Sequence, residues 1–202
     1  AVALGRVDTE SHGLSRGQTL ETVCQPAGHA PGLVFNGLGV AAGALLGGGE
    51  GQGFVQMMRE LPRERLIIGV QAVYGAKGAL DATVKYVQER QAFGQAIGQF
   101  QNTRFTLAQC ASDIAAAEAF LNASVAAYER GELSPEAASA LKLHTTEVMG
   151  RVADACLQLF GGYGYMAEYP ISRFWTDARV LRIYGGTSEI MKELVARSLL
   201  GR

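Results

Sequence analysis

The sequence predicts a mainly α protein, a helical bundle preceded by a fragment of a β domain, and three observations carry this. From Phe54 onward, apolar residues recur every three to four positions, the period of an amphipathic helix. Residues 99–130 sharpen that period into a seam, with Phe100, Leu107, Ile114, Leu121 and Tyr128 at seven-residue intervals and Cys110, Ala117 and Ser124 between them. Residues 1–53 lack the period and set glycine-rich turns between short β-type runs such as Gly32–Phe35. The expected division is a β fragment over 1–53 and a helical domain over 54–202.

The strands of the first segment are too few to close a sheet, so they call for partners from elsewhere. In the second segment, 54–60 reads as a short amphipathic piece, and Pro62 suits the first turn of the next helix, where its missing N–H costs nothing. That helix runs to about Arg90, with Leu66, Val70, Val73, Leu80, Val84 and Val87 inward. Gly75, Ala76, Gly78 and Ala79 keep one flank thin enough for close helix contact. The seam helix stops at Gly131. Ser134-Pro135 then supplies an N-cap and N1 proline for a third helix, which points Ala138, Leu141, Val148, Val152, Cys156 and Leu159 inward and ends at Gly161-Gly162. A shorter helix over about 170–181 and a terminal helix from Thr187 complete the set.

Composition narrows the function. The chain of 202 residues is 48% hydrophobic and 18% charged, with a formal net charge of −1, which fits a soluble globular class and provides no basic field for nucleic acid. Cys24, Cys110 and Cys156 are odd in number and widely spaced, so they read as reduced thiols in a reducing compartment, and His12, His29 and His144 lack metal-ligand spacing. No metal site, membrane span or export signal is expected. No hydroxyl or thiol sits in a Gly-x-Ser-x-Gly context.

What remains is glycines at helix junctions with scattered Arg, Gln, Thr and Glu, the donor set of a site for a large phosphorylated cofactor. The stretch Arg182–Arg197 concentrates it. Gly185 and Gly186 permit backbone conformations that a Cβ resists, Thr187 suits an N-cap, and a helix opened this way favours a phosphate. A Gly-Gly hinge between packed helices is the other reading of those residues alone.

Three motifs, Gln91–Gln101, Gln158–Tyr165 and Ile183–Ile190 preceded by Asp177-Ala-Arg179, stand in an order and spacing that closely resemble the acyl-CoA dehydrogenase family. The resemblance is close over about 60–202 and looser over about 7–53. It implies that the bundle is the C-terminal domain of that family, a four-helix bundle that forms the core of a tetramer or dimer, preceded by part of the middle β domain. It implies FAD as cofactor, acyl-CoA as substrate and an electron-transfer flavoprotein as electron acceptor. The expected location is cytoplasmic, or the mitochondrial matrix in a eukaryote.

Residue by residue, the resemblance implies that Arg90, Phe93 and Gln101 contact the FAD of a neighbouring subunit, and that Gln158, Gly161 and Gly162 line its ADP portion. Thr187 and Glu189 would hold the FAD of their own subunit. Many family members carry a catalytic Glu directly after the tyrosine of the terminal turn, where this chain has Gly185. The long-chain and isovaleryl branches take the base from the start of the first long bundle helix instead, where this chain reads Leu61-Pro-Arg-Glu-Arg-Leu66. Glu64 is therefore the expected base. Without the resemblance, an Arg-Glu-Arg triplet reads as a plain surface carboxylate. Arg65 and Arg197 match positions near the active site, Tyr184 would wall the acyl pocket, and glycine at 185 would enlarge it. A non-catalytic truncated homologue serving oligomerisation, and a flavin monooxygenase on the same fold, are the other readings.

Overall fold

A computed structural model describes residues 2–23, 31–47 and 49–201. Cys24 and His29 lie outside these. The chain divides into two compact units, Ala1–Leu61 and Pro62–Arg202.

In the first unit, β1 (Leu14–Thr19) and β2 (Pro31–Phe35) pair antiparallel, with Leu14 opposite Phe35 and a register shift between Arg16 and Thr19. Leu33, Val34 and Phe35 are all more than half exposed. Among the described residues β1 and β2 make a sheet of two strands, too few to bury these side chains by themselves.

Helix α1 (Gly53–Glu89) is one continuous helix, where the sequence suggests a short piece and a new start at Pro62. Pro62 sits inside it, and the division between the units falls at that residue. The bond lost there is the one to the carbonyl of Met58, four residues earlier. Met58 is 41% exposed, so that carbonyl lies on a solvated side of the helix.

The second unit is built around α3 (Pro135–Phe160), which packs against α2 (Gln101–Glu129), α4 (Pro170–Leu181) and α5 (Ser188–Leu200). Contact on several sides explains its sequence: Leu141, Thr145, Val148, Met149, Val152, Ala153 and Cys156 are all buried, a band wider than one stripe. By contrast α2 buries one stripe, Cys110, Ile114, Ala117, Leu121 and Ser124, as its heptad spacing predicts. Its seam ends earlier than expected, for Tyr128 is 42% exposed.

On α1, the residues Leu66, Ala72, Val73, Ala76 and Ala79 join this core. The thin flank is real. A Cβ added at Gly75 would meet Met149 Cε at 3.1 Å, and one at Gly78 would meet Phe174 Cζ at 2.9 Å. Val70 departs from the expectation, being 37% exposed, while Ile68 is buried in its place. At the end of α3, Phe160 and not Leu159 is the fully inward residue.

Local signals set the helix ends. The Ser134 hydroxyl accepts the Ala137 N–H at 3.1 Å with Pro135 following, and Gly161 takes φ +58° where α3 stops. Between α1 and α2, β3 (Gln91–Ala92) and β4 (Gln95–Ala96) form a minimal hairpin. Its two central residues, Phe93 and Gly94, have φ +52° and +81°. Cys110 and Cys156 meet in the core through a hydrogen bond, which together with burial keeps the Cys110 thiol protonated.

Among the described residues, no helix is long and apolar enough to cross a membrane, and no three His, Cys, Asp or Glu residues converge as a metal site.

Candidate functional site

The candidate residues gather in two places within the second unit. One is the turn between α4 and α5. Arg182 closes α4 and meets Glu147 of α3 in a bidentate pair, Nε to Oε1 and Nη2 to Oε2, both 2.9 Å. The Ser188 hydroxyl donates to the same Oε1 at 2.8 Å, and the Ser188 N–H donates to the Arg182 carbonyl at 3.1 Å. Both ends of the turn are thereby fixed to α3. Between them Gly185 and Gly186 adopt φ +64° and +105°, backbone that glycine enters freely. The Thr187 hydroxyl accepts the Ile190 N–H at 3.4 Å as the N-cap of α5. Glu189 is held below the usual carboxylate range, first by its own backbone N–H and then by the Thr187 side chain, so it stays ionised at the positive end of the helix.

Helix α1 lies against this turn through a single stripe. Arg65 donates Nε to the Gly185 carbonyl at 3.5 Å, Gln71 Oε1 accepts the Tyr184 hydroxyl at 2.6 Å, and Ile68 stands between them. Ile68 fills the space that a side chain at 185 would need: an added Cβ would lie 2.4 Å from its Cδ1. The glycine is therefore demanded by the backbone angle and by a neighbour, whatever its effect on a pocket. Gly185→Ala is expected to lower stability by about 1–2 kcal/mol for the left-handed conformation alone. Urea unfolding checks this, and an unchanged midpoint would contradict it. Glu64 is exposed and precedes Ile68 by one turn, which puts it on the edge of the stripe that faces Gly185. Arg197 does not join the group: it pairs with Glu193 at 2.7 Å on the exposed side of α5, about 15 Å along the helix from Thr187.

The second place is a cleft of about 530 Å³ where the end of α1 meets the end of α3. Arg90, Gln158, Gly161 and Gly162 line it with Tyr86, Phe160 and Tyr163. The Arg90 guanidinium lies 5.2 Å above the Tyr163 ring, a cation–π seat that leaves its N–H edge available. A Cβ at Gly161 or Gly162 would meet nothing within 4 Å, so these glycines leave the cleft floor as open backbone. This suits a flat or phosphorylated group lying against the chain. Phe93, at the hairpin tip, is 96% exposed and touches Phe100 edge-on at 6.2 Å. Gln101, the first residue of α2, is exposed as well.

Sequence reasoning missed Gln71, Ser139, Lys142 and Glu147. For Lys142 a signal was present: it falls four residues after inward Ala138 on α3, a core position that carries a charge.

The sequence pattern of the acyl-CoA dehydrogenase C-terminal domain matches residues 51–200. The mitochondrial long-chain specific acyl-CoA dehydrogenase of Sus scrofa is 39% identical over 98% of this chain and 46% of its own length. Among solved structures, the acyl-CoA dehydrogenase of Geobacillus kaustophilus superposes with a TM-score of 0.93 at 37% identity, over 98% of this chain and 52% of that one. The butyryl-CoA dehydrogenase of Megasphaera elsdenii gives 0.93 at 30%, over 98% and 51%. The fold and the matched pattern thus define a domain of acyl-CoA dehydrogenase C-terminal type. The chain belongs to the acyl-CoA dehydrogenase family, and one solved structure of its fold, a glutaryl-CoA dehydrogenase from Mycobacterium smegmatis, is described in complex with FADH2. It spans about half the length of the relatives it matches.

Proposed function

We propose that the chain is the C-terminal part of an FAD-dependent acyl-CoA dehydrogenase of the long-chain or branched-chain type, which oxidises an acyl-CoA thioester to the trans-2-enoyl-CoA. One observation carries the reading. Ile68 fills the place of a side chain at 185, and Glu64 precedes Ile68 by one turn on the α1 face that meets the turn. On this reading, the base that other family members carry in the turn is supplied from the opposing helix.

Glu64 takes the proton from the α-carbon of the thioester. The Gly185 region of the turn holds the thioester carbonyl by backbone N–H groups as negative charge grows on its oxygen. Arg65, ionised and buried against Gly185, keeps the helix and the turn in register, and Tyr184 walls the acyl chain. FAD, when bound, supplies the hydride acceptor for the β-carbon. Thr187 and Glu189 would hold the FAD of their own subunit. Arg90, Phe93, Gln101, Gln158, Gly161 and Gly162 would hold that of a neighbour. On the family resemblance one chain would serve two cofactors, its own at the turn and a neighbour's at the cleft, and the protein would work as a homo-oligomer, a dimer or tetramer. Exposed Phe105 on α2 and Tyr128 at the end of its seam provide apolar surface for that assembly. Arg197 would support the geometry of α5.

The electron acceptor would be an electron-transfer flavoprotein, as the family resemblance implies. By likeness to the pig enzyme the place of action would be the mitochondrial matrix in a eukaryote, and the cytoplasm otherwise.

The test is the visible spectrum of the purified chain after excess FAD and desalting. Flavin absorbance should persist and bleach when long or branched acyl-CoAs are added. A colourless protein would overturn the proposal for this chain alone.

A further inference from the structure

The largest fully buried side chain among the described residues belongs to a cation. Lys142, on α3, has no exposed surface, and its Nζ donates to the Gly186 carbonyl at 2.6 Å. Arg65, 5% exposed, donates to the preceding carbonyl, that of Gly185, and through Nη1 to Ser139 Oγ at 3.0 Å. Burying an ammonium is costly, and here the cost is raised by a second cation beside it. Glu147, the carboxylate on the same helix, is already bound by Arg182 and Ser188. A carbonyl of a glycine turn is an unusual partner to justify such burial.

The geometry of the peptide unit gives a reason. In a trans peptide the carbonyl and the following N–H point in opposite directions, and the described chain contains no cis bond. Two cations drawing the Gly185 and Gly186 oxygens toward α1 and α3 therefore turn the N–H groups of Gly186 and Thr187 away from the core. Without these anchors, a Gly-Gly pair has many orientations open to it. We infer that Lys142 is a positioning residue which, together with Arg65, fixes the peptide planes of the Gly185–Gly186 turn and so the direction in which its N–H groups face. What those groups face, the thioester carbonyl, rests on the proposed dehydrogenase reading. The anchoring does not.

Three charged groups face Lys142: Arg65 from α1, Glu147 from α3 and Glu189 from α5. Burial first, and Arg65 next, push its ammonium down to about 8 from an ordinary value of 10.5. A lysine with a depressed value penalises folding while it is charged. Its penalty is complete below about pH 8 and is relieved as pH rises from there toward 10.5. The turn itself should loosen around pH 8, where the folded protein loses this proton, because a neutral amine is the weaker donor.

The experiment uses the 202-residue chain labelled with ¹⁵N-glycine and ¹⁵N-threonine. The Gly186 and Thr187 amide signals should move between pH 7 and 9.5 with a midpoint near 8, and in Lys142→Met they should be displaced at every pH and lose that titration. The wild type should also gain stability relative to Lys142→Met between pH 8 and 10.5. In flavin-loaded protein, Lys142→Met should lower kcat roughly 10- to 100-fold with KM and flavin content little changed, the mark of a transition-state interaction. Amide signals that ignore both pH and the variant would overturn the inference. Should Lys142→Met fail to fold, the wild-type titration decides alone. A titrating turn in a protein that takes no flavin would sink the dehydrogenase reading and leave the anchoring intact.

Discussion

Replacing Glu64 with Gln leaves a protein that still takes up FAD but oxidises acyl-CoA some 10²- to 10⁴-fold more slowly, the range lost with a general base. The substitution keeps the shape of the side chain and removes only its capacity to accept a proton. Glu64 is exposed at the edge of the α1 stripe that packs on Gly185, so little folding energy is at stake. A surface change of this kind moves stability by no more than about 0.5 kcal/mol. Single-turnover bleaching of the flavin by a long-chain acyl-CoA separates the outcomes. A slow bleach with unaltered flavin content supports the base. A bleach at the wild-type rate would return Glu64 to the solvated surface and favour an oxygenase or another carboxylate.

Phe160→Ala should give the largest loss of stability, about 3–5 kcal/mol. Phe160 is 4% exposed, its ring stacks on Tyr86 with centroids 4.0 Å apart and planes 13° from parallel, and it meets Tyr169 edge-on at 5.9 Å. Truncation empties a site held by three rings, while the bond from the Tyr86 hydroxyl to the Phe160 carbonyl survives because it uses the backbone. For a unit of this size the melting temperature should fall by roughly 10–15 °C. The same ring forms one wall of the Arg90 cleft, so flavin retention should weaken in parallel. A shift under about 3 °C would show that the cleft end of α3 carries little of the core.

How far the sequence could be read depended on how local each cause was. Ser134-Pro135, the Gly161 stop and the Thr187 cap were legible because each acts within one helical turn. The continuity of α1 through Pro62 was not, since it turns on the lost bond meeting a solvated side of the helix. Val70 and Ile68 exchanged places for a related reason: the face that α1 buries is chosen by a turn 120 residues away in the chain. The site was legible as motifs, but its grouping was not. Nothing in the spacing says that Arg90 and Gln158 line one cleft, or that Lys142 ends beneath Gly186. The roles of individual residues came from family resemblance.

The hairpin tip has a consequence for anyone who would improve this molecule. Phe93 holds a left-handed backbone with an almost fully exposed aromatic ring, a position where Asn or Gly would be more comfortable and more soluble. A search for stabilising substitutions guided by the isolated chain would select that exchange early. It would raise the melting temperature and remove the side chain proposed to contact a neighbour's FAD, so on that proposal the more robust protein would be the one less able to assemble its site.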